Sequence, residues 1–204
     1  MADRYENFAE LSGAEREGVD FRVRCTIRNS PVAIIAPHGG GIEPGTSEIT
    51  SQIAGSVYSF YCFEGLKPSG NSVLHITSTR FDEPRCVDLV SASDFVVSVH
   101  GLAGTYERVD IGGLDQSLRE AICGSLVDAG FAAQVVTTGE HAAIDPANIC
   151  NRGRRGAGVQ LEITRALRDA LGAQPQRMAE FANAAREAIV GETGDSKAGP
   201  SDAG

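Results

Sequence analysis

The stretch VAIIAPHGGGIEPGTSEIT, residues 32–50, decides the fold. An uncharged apolar run reaches Pro37 and His38, three glycines follow, and Thr46 opens a segment of helical period. A short, partly β-branched run bounded by proline and glycine reads as a strand covered on both faces. The continuation TSEITSQIAGSVY (46–58) spaces its apolar residues as a helix does, behind a threonine suited to cap the first turn.

The same alternation recurs along the chain. Further strands are predicted at FRVRCTI (21–27), YSFYCF (58–63), VLHIT (73–77), FVVSVH (95–100), FAAQVV (131–136) and VQLEI (159–163). Helices fit residues 114–130, stopped by Gly130, and residues 164–171 and 174–190. Apolar strands interleaved with helices imply an α/β layered sheet. Residues 1–190 are expected to form one domain, and 191–204, which carry no large apolar side chain, a disordered tail.

With 204 residues and 42% hydrophobic content, the chain can bury a sizeable core, which excludes a disordered or fibrous protein. It holds no long uninterrupted apolar stretch, and its first twenty residues are acidic and polar where a secretory signal is basic and then apolar. No membrane partner is therefore expected. The expected location is the cytoplasm as synthesised, with lysis of the host or cell an open route of release. Five scattered cysteines without a CxxC pair suggest reduced, mostly buried thiols. A net charge of -9 argues against nucleic acid as a partner. Within that acidic chain, NRGRRG (151–156) concentrates Arg152, Arg154 and Arg155, either as a solvated loop or as a site for an acidic ligand.

Two of the four histidines share a context. His38 ends VAIIAPH before three glycines, and His100 ends FVVSVH before GLAG. Ligands of open α/β sheets bind beyond the carboxyl ends of the strands, where two such loops can converge, their glycines clearing space for an ion. A catalytic zinc takes three protein ligands and keeps one open position, and two His plus one Glu is an established set. Glu43, five residues after His38, completes it. His75 reads as a hydrogen-bonded side chain near the core edge or as support for a ligand, and His141 as a surface residue. HGGG also suits the oxyanion loop of a serine hydrolase, but no G-x-S-x-G accompanies it. A phosphate loop would need the Walker Lys-Ser/Thr pair or a G-x-G-x-x-G, and neither occurs. Glu162 stands among Val159, Leu161 and Ile163, where a carboxylate faces either an Arg partner or a site that uses it as a general base.

APHGGGIEPGTSEI, LHITSTRFDEP, VVSVHGLAG and NRGRRGAGVQLEI together resemble, in order from about Tyr5 to Ile189, the blocks of the phage poly-γ-glutamate hydrolases and their bacterial prophage-related relatives. The resemblance implies a three-layer α/β fold of the zinc carboxypeptidase-like (phosphorylase/hydrolase-like) kind, a mixed sheet flanked by helices. It also implies a zinc enzyme that cleaves γ-glutamyl amide bonds of poly-γ-glutamate internally, or else a small acidic amide such as an N-acyl glutamate. Carried over residue by residue, the zinc ligands are His38, Glu43 and His100, and the catalytic glutamate is Glu162. Arg152, Arg154 and Arg155 become candidates to grip substrate carboxylates, in a basic groove whose binding weakens with salt.

Overall fold

The computed structural model describes residues 3–194. Seven strands form one sheet: β1 (Phe21–Thr26), β2 (Val32–Gly40), β3 (Ser59–Gly65), β4 (Phe95–Leu102), β5 (Val109–Gly112), β6 (Ala133–Val135) and β7 (Val159–Thr164). Their spatial order is β1-β3-β2-β4-β7-β5-β6. The central run β3-β2-β4-β7 is parallel, while β1 on β3 and β5 on β7 are antiparallel, so the sheet is mixed. Among the described residues six helices accompany it: α1 (Phe8–Ala14), α2 (Thr46–Ala54), α3 (Pro84–Ser91), α4 (Gln116–Asp128), α5 (Arg165–Ala173) and α6 (Pro175–Thr193).

The period of two along β2 builds the three layers. Val32, Ile34 and Ala36 join a core with Ile49 and Ile53 of α2, Ile122 of α4 and Phe181 of α6. Ala33 and Ile35 face the other way, into a core with Leu11 of α1 and Leu89 of α3. Burial of each of the larger side chains here, Val, Ile, Leu or Phe, contributes about 1.5–3 kcal/mol. Covered on both sides, β3 and β7 are buried along their whole length, which is why neither reads as an amphipathic strand.

The structure corrects three local expectations. VLHIT is not a strand: a 3-10 turn spans Asn71–Leu74, and β3, the nearby strand, already carries β1 on one side and β2 on the other, leaving no ladder to join. Thr46 is the first residue of α2, after Gly45, and its hydroxyl donates to the Glu43 carbonyl at 2.8 Å without capping the helix. Residues 191–193, expected in the tail, continue α6; residues 195–204 of that tail lie outside the described residues. The short elements α1, α3 and β5 carry too few residues for a period to register. The five cysteines are free, three of them buried.

Candidate functional site

From β2 the chain crosses to β3 on one side, and β4 lies on the other, so the strand order reverses between β2 and β4. Such a switch point opens a crevice at the carboxyl ends of the strands. Here β2 and β4 pair only from Val32↔Phe95 to Ile35↔Ser98, and the register of β2 on β3 shifts between Ala36 and Gly39. Pro37 lies in that shift and has no N–H to give a ladder. The bulge frees His38 to turn into the crevice. On β4, His100 follows Ser98 by two residues and stands in register with Glu162 of β7. Glu43 returns on the turn after β2, its N–H donating to the His38 carbonyl at 2.9 Å.

Three side chains meet there. The His38 Nδ1 lies 3.2 Å from the His100 Nδ1 and 3.3 Å from Glu43 Oε1, and the His100 Nδ1 lies 3.9 Å from Glu43 Oε2. The His38 Nε2 is 2.8 Å from the Ile76 carbonyl, which can only accept, so in the neutral ring the proton sits on Nε2 and Nδ1 keeps its lone pair. The His100 Nε2 lies 2.8 Å from the Ser98 hydroxyl, which can accept from it or donate to it; as acceptor it leaves the second Nδ1 free. Gly101 N–H donates to Glu43 Oε2 at 2.7 Å. Two imidazole nitrogens and a carboxylate therefore converge, and a divalent cation with N and O ligands fits that set once the Nδ1 positions are deprotonated.

Charge balance sets what a cation would displace. Burial would lower the His38 pKa, but Glu43 outweighs it and the net shift is upward, so a proton on Nδ1 competes with a cation for this position. Burial and the neighbouring His38 push His100 down to about 3. Burial opposes ionisation of Glu43, yet His38 holds it at about 2, so the carboxylate stays charged. Burial, then the charge of Glu43, raises Glu162 to about 8; a cation at the ligands opposes that shift.

Above these groups opens a cavity of about 370 Å³ that His38, Glu43, His100 and Glu162 all line. Glu162 has no arginine partner among the described residues; it accepts from the Gln160 amide at 2.8 Å. His141, read from sequence as a surface residue, lines the cavity with its Nδ1 3.9 Å from Glu162 Oε1. His75 stacks on His38 with ring centroids 4.0 Å apart, its Nδ1 held by Asp3 Oδ1 at 2.6 Å. Potential ligand atoms of His38, Glu43 and His75 also lie within 4.8 Å of one another. We favour His100 as the third donor, because its Nδ1 turns to both others whereas the His75 ring runs alongside His38. Asp3 lay outside every sequence signal, being joined to His75 only by tertiary contact.

The arginines are not brought to the cavity. Arg152 donates to the Phe81 carbonyl at 2.9 Å, Arg154 lies 3.7 Å from Asp94, and Arg155 pairs with Asp115 at 2.5 Å and covers the Phe95 ring. Because β7 runs parallel to β4, the segment before Val159 packs at the amino end of β4, opposite the site. No Lys or Arg among the described residues lines the cavity, so the expected basic groove is not present there. The glycines after His38 also serve differently than expected. A Cβ on Gly40, at φ +59°, would lie 2.7 Å from the Gly65 carbonyl, so glycine there clears room for β3.

Residues 5–186 match the family described as poly-gamma-glutamate hydrolase. The chain is 41% identical over 170 residues to the UPF0714 protein YndL of Bacillus subtilis (strain 168), a match that covers 83% of this chain and 67% of YndL. The solved structure of a bacteriophage poly-gamma-glutamate hydrolase superposes with a TM-score of 0.90 at 39% identity, covering 95% of this chain and 99% of that one. A zinc-free, apo form of YndL superposes with a TM-score of 0.89 at 36% identity, covering 94% and 100%.

Proposed function

The chain belongs to the poly-gamma-glutamate hydrolase family, and from that premise we propose that it is a zinc-dependent hydrolase of γ-glutamyl amide bonds that cuts poly-γ-glutamate internally. The observation that carries the reading is the convergence of His38 Nδ1, His100 Nδ1 and the Glu43 carboxylate beside a second buried carboxylate, Glu162, at the floor of an open cavity. In this reading His38, Glu43 and His100 are the ligands. Bound zinc supplies a Lewis acid that activates water and polarises the scissile carbonyl.

The protein's own groups do the rest. Ile76 O, Ser98 Oγ and Gly101 N–H hold the two rings and the carboxylate in orientation. Glu162, in register with His100 on the adjacent strand, accepts the proton released by the attacking water and passes it to the leaving amine. Thr77, Ser78 and Thr79 line the cavity and offer neutral hydroxyl donors to the α-carboxylates of the polymer; Arg152, Arg154 and Arg155, engaged elsewhere, have no part in it.

The test is incubation of zinc-loaded protein with high-molecular-weight poly-γ-glutamate, with product length read on a gel. Shortening to oligomers that stops on chelation and returns with zinc is the expected result. An unchanged polymer together with hydrolysis of an N-acyl glutamate would move the function to a small acidic amide. Hydrolysis of neither would overturn the reading.

A further inference from the structure

A second arginine-bearing feature, outside the NRGRRG segment, lies beneath the site. Arg168 sits in the first turns of α5 and is 5% exposed. Buried guanidinium groups ordinarily pair with carboxylates. The hydrogen bonds of this one run to three backbone carbonyls: Nε to Ile163 O at 3.0 Å, Nη2 to Leu102 O at 3.3 Å, and Nη1 to Pro44 O. Each carbonyl belongs to a segment that carries a site residue. Pro44 follows Glu43, Leu102 lies two residues past His100, and Ile163 follows Glu162.

Two glycines admit the side chain. A Cβ on Gly101 would lie 2.7 Å from the guanidinium carbon of Arg168 and 2.9 Å from the Glu43 Cβ, so any larger residue there displaces one or both. A Cβ on Gly45 would lie 3.1 Å from the Arg168 Cβ. The guanidinium does not line the cavity and so does not reach substrate. A planar fork with five N–H groups can span three carbonyls in fixed directions, which a lysine ammonium on a flexible stem cannot.

We propose that Arg168 is a positioning residue of the metal centre, tying the Glu43 turn and the carboxyl ends of β4 and β7 into the one arrangement in which Glu43 and His100 meet His38. The proposal rests on the reading of those three residues as zinc ligands. Charge and position predict opposite signs for its removal. If the guanidinium acted only as a positive charge near the ion, its loss would tighten zinc binding; if it fixes the ligands, its loss weakens binding.

Zinc affinity is measured on the full chain by competition with a chromophoric chelator, for the parent, R168M, R168K, R165Q and E43Q, beside metal-free thermal melts. Arg165, an exposed neighbour paired with Asp169, is the control. The expected result is a weakening of about 10–100-fold in R168M, the range found when a residue supporting a metal ligand is removed, a smaller loss in R168K, and no change in R165Q. Parental or tighter zinc binding in both Arg168 variants overturns the proposal, including when the metal-free melt falls. Should R168M fail to fold, R168K decides by the same criterion. Parental affinity in E43Q overturns the ligand assignment, and the proposal with it, whereas a weak E43Q beside parental Arg168 variants overturns the role of Arg168 alone.

Discussion

Glu162 is buried on the face of β7 that it shares with Gln160 and Thr164, and among the described residues its side chain accepts a hydrogen bond from the neutral Gln160 amide. A carboxylate without a cationic partner in such a position costs stability, which fits the proton-transfer role proposed above. Glu162→Gln preserves size and can still accept from Gln160, but it removes the basic oxygen. We expect this variant to keep about one zinc per chain while kcat falls by about 10²–10⁴-fold, checked by metal analysis and turnover on the same sample. Full turnover would sink the assignment. At this scale the meeting of His38, Glu43, His100 and Glu162 at one cavity was legible because two strand-terminal histidines before glycine and a lone carboxylate in an apolar strand single themselves out; the roles given to them are those proposed above. Arg168 was not: in TRALRDAL it is one more charged position on a helix, and only the approach of the Glu43 turn and the carboxyl ends of β4 and β7 gives it partners.

Among the elements, β2 carries the strongest constraint. Its end must release His38 from the ladder while Gly39 and Gly40 resume pairing with β3. Gly40→Ala places a Cβ against the Gly65 carbonyl at a positive φ and is expected to destabilise by about 1–3 kcal/mol, seen as a lower urea midpoint at unchanged slope. At the same end of the sheet, past the end of β3, α1 is held by Glu15, which accepts from the Tyr5 hydroxyl at 2.8 Å and from Lys67 at 2.5 Å. The Lys67 hydrogen bond, working against burial, holds Glu15 below its ordinary pKa of 4.5. A depressed carboxyl contributes stability above its unfolded pKa and loses it as pH falls through the folded one. Glu15→Gln should therefore melt lower than the parent at pH 7, with the gap closing as the pH drops below about 4.5. A gap independent of pH would count against the pairing. β2 and α2 could be read from sequence because a buried strand followed by a helix leaves a double signature. VLHIT could not, since its β-like composition serves a turn that buries Leu74 and Ile76 against the second core.

For the whole molecule, charge decides how a polyanion arrives. The chain carries a net -9, its three clustered arginines lie at the far end of the parallel strands, and the cavity includes Glu140 and Asp145 but no Lys or Arg among the described residues. Sequence suggested a basic groove because adjacent arginines look like a patch; the parallel register of β4 and β7 carries that patch away from the catalytic end. Approach of poly-γ-glutamate is thus opposed at long range, and in the function proposed above selectivity falls to zinc and the hydroxyl-lined wall at contact distance. Raising ionic strength from about 0.01 M to 0.15 M shortens the screening length from about 30 Å to about 8 Å. We therefore expect KM for the polymer to fall over that range, with kcat little changed and the KM of a short amide of low charge nearly constant. Steady-state kinetics at matched zinc loading checks this. A polymer KM that rises with salt would mean that cations outside the cavity guide the substrate, and would return the arginines to the binding path.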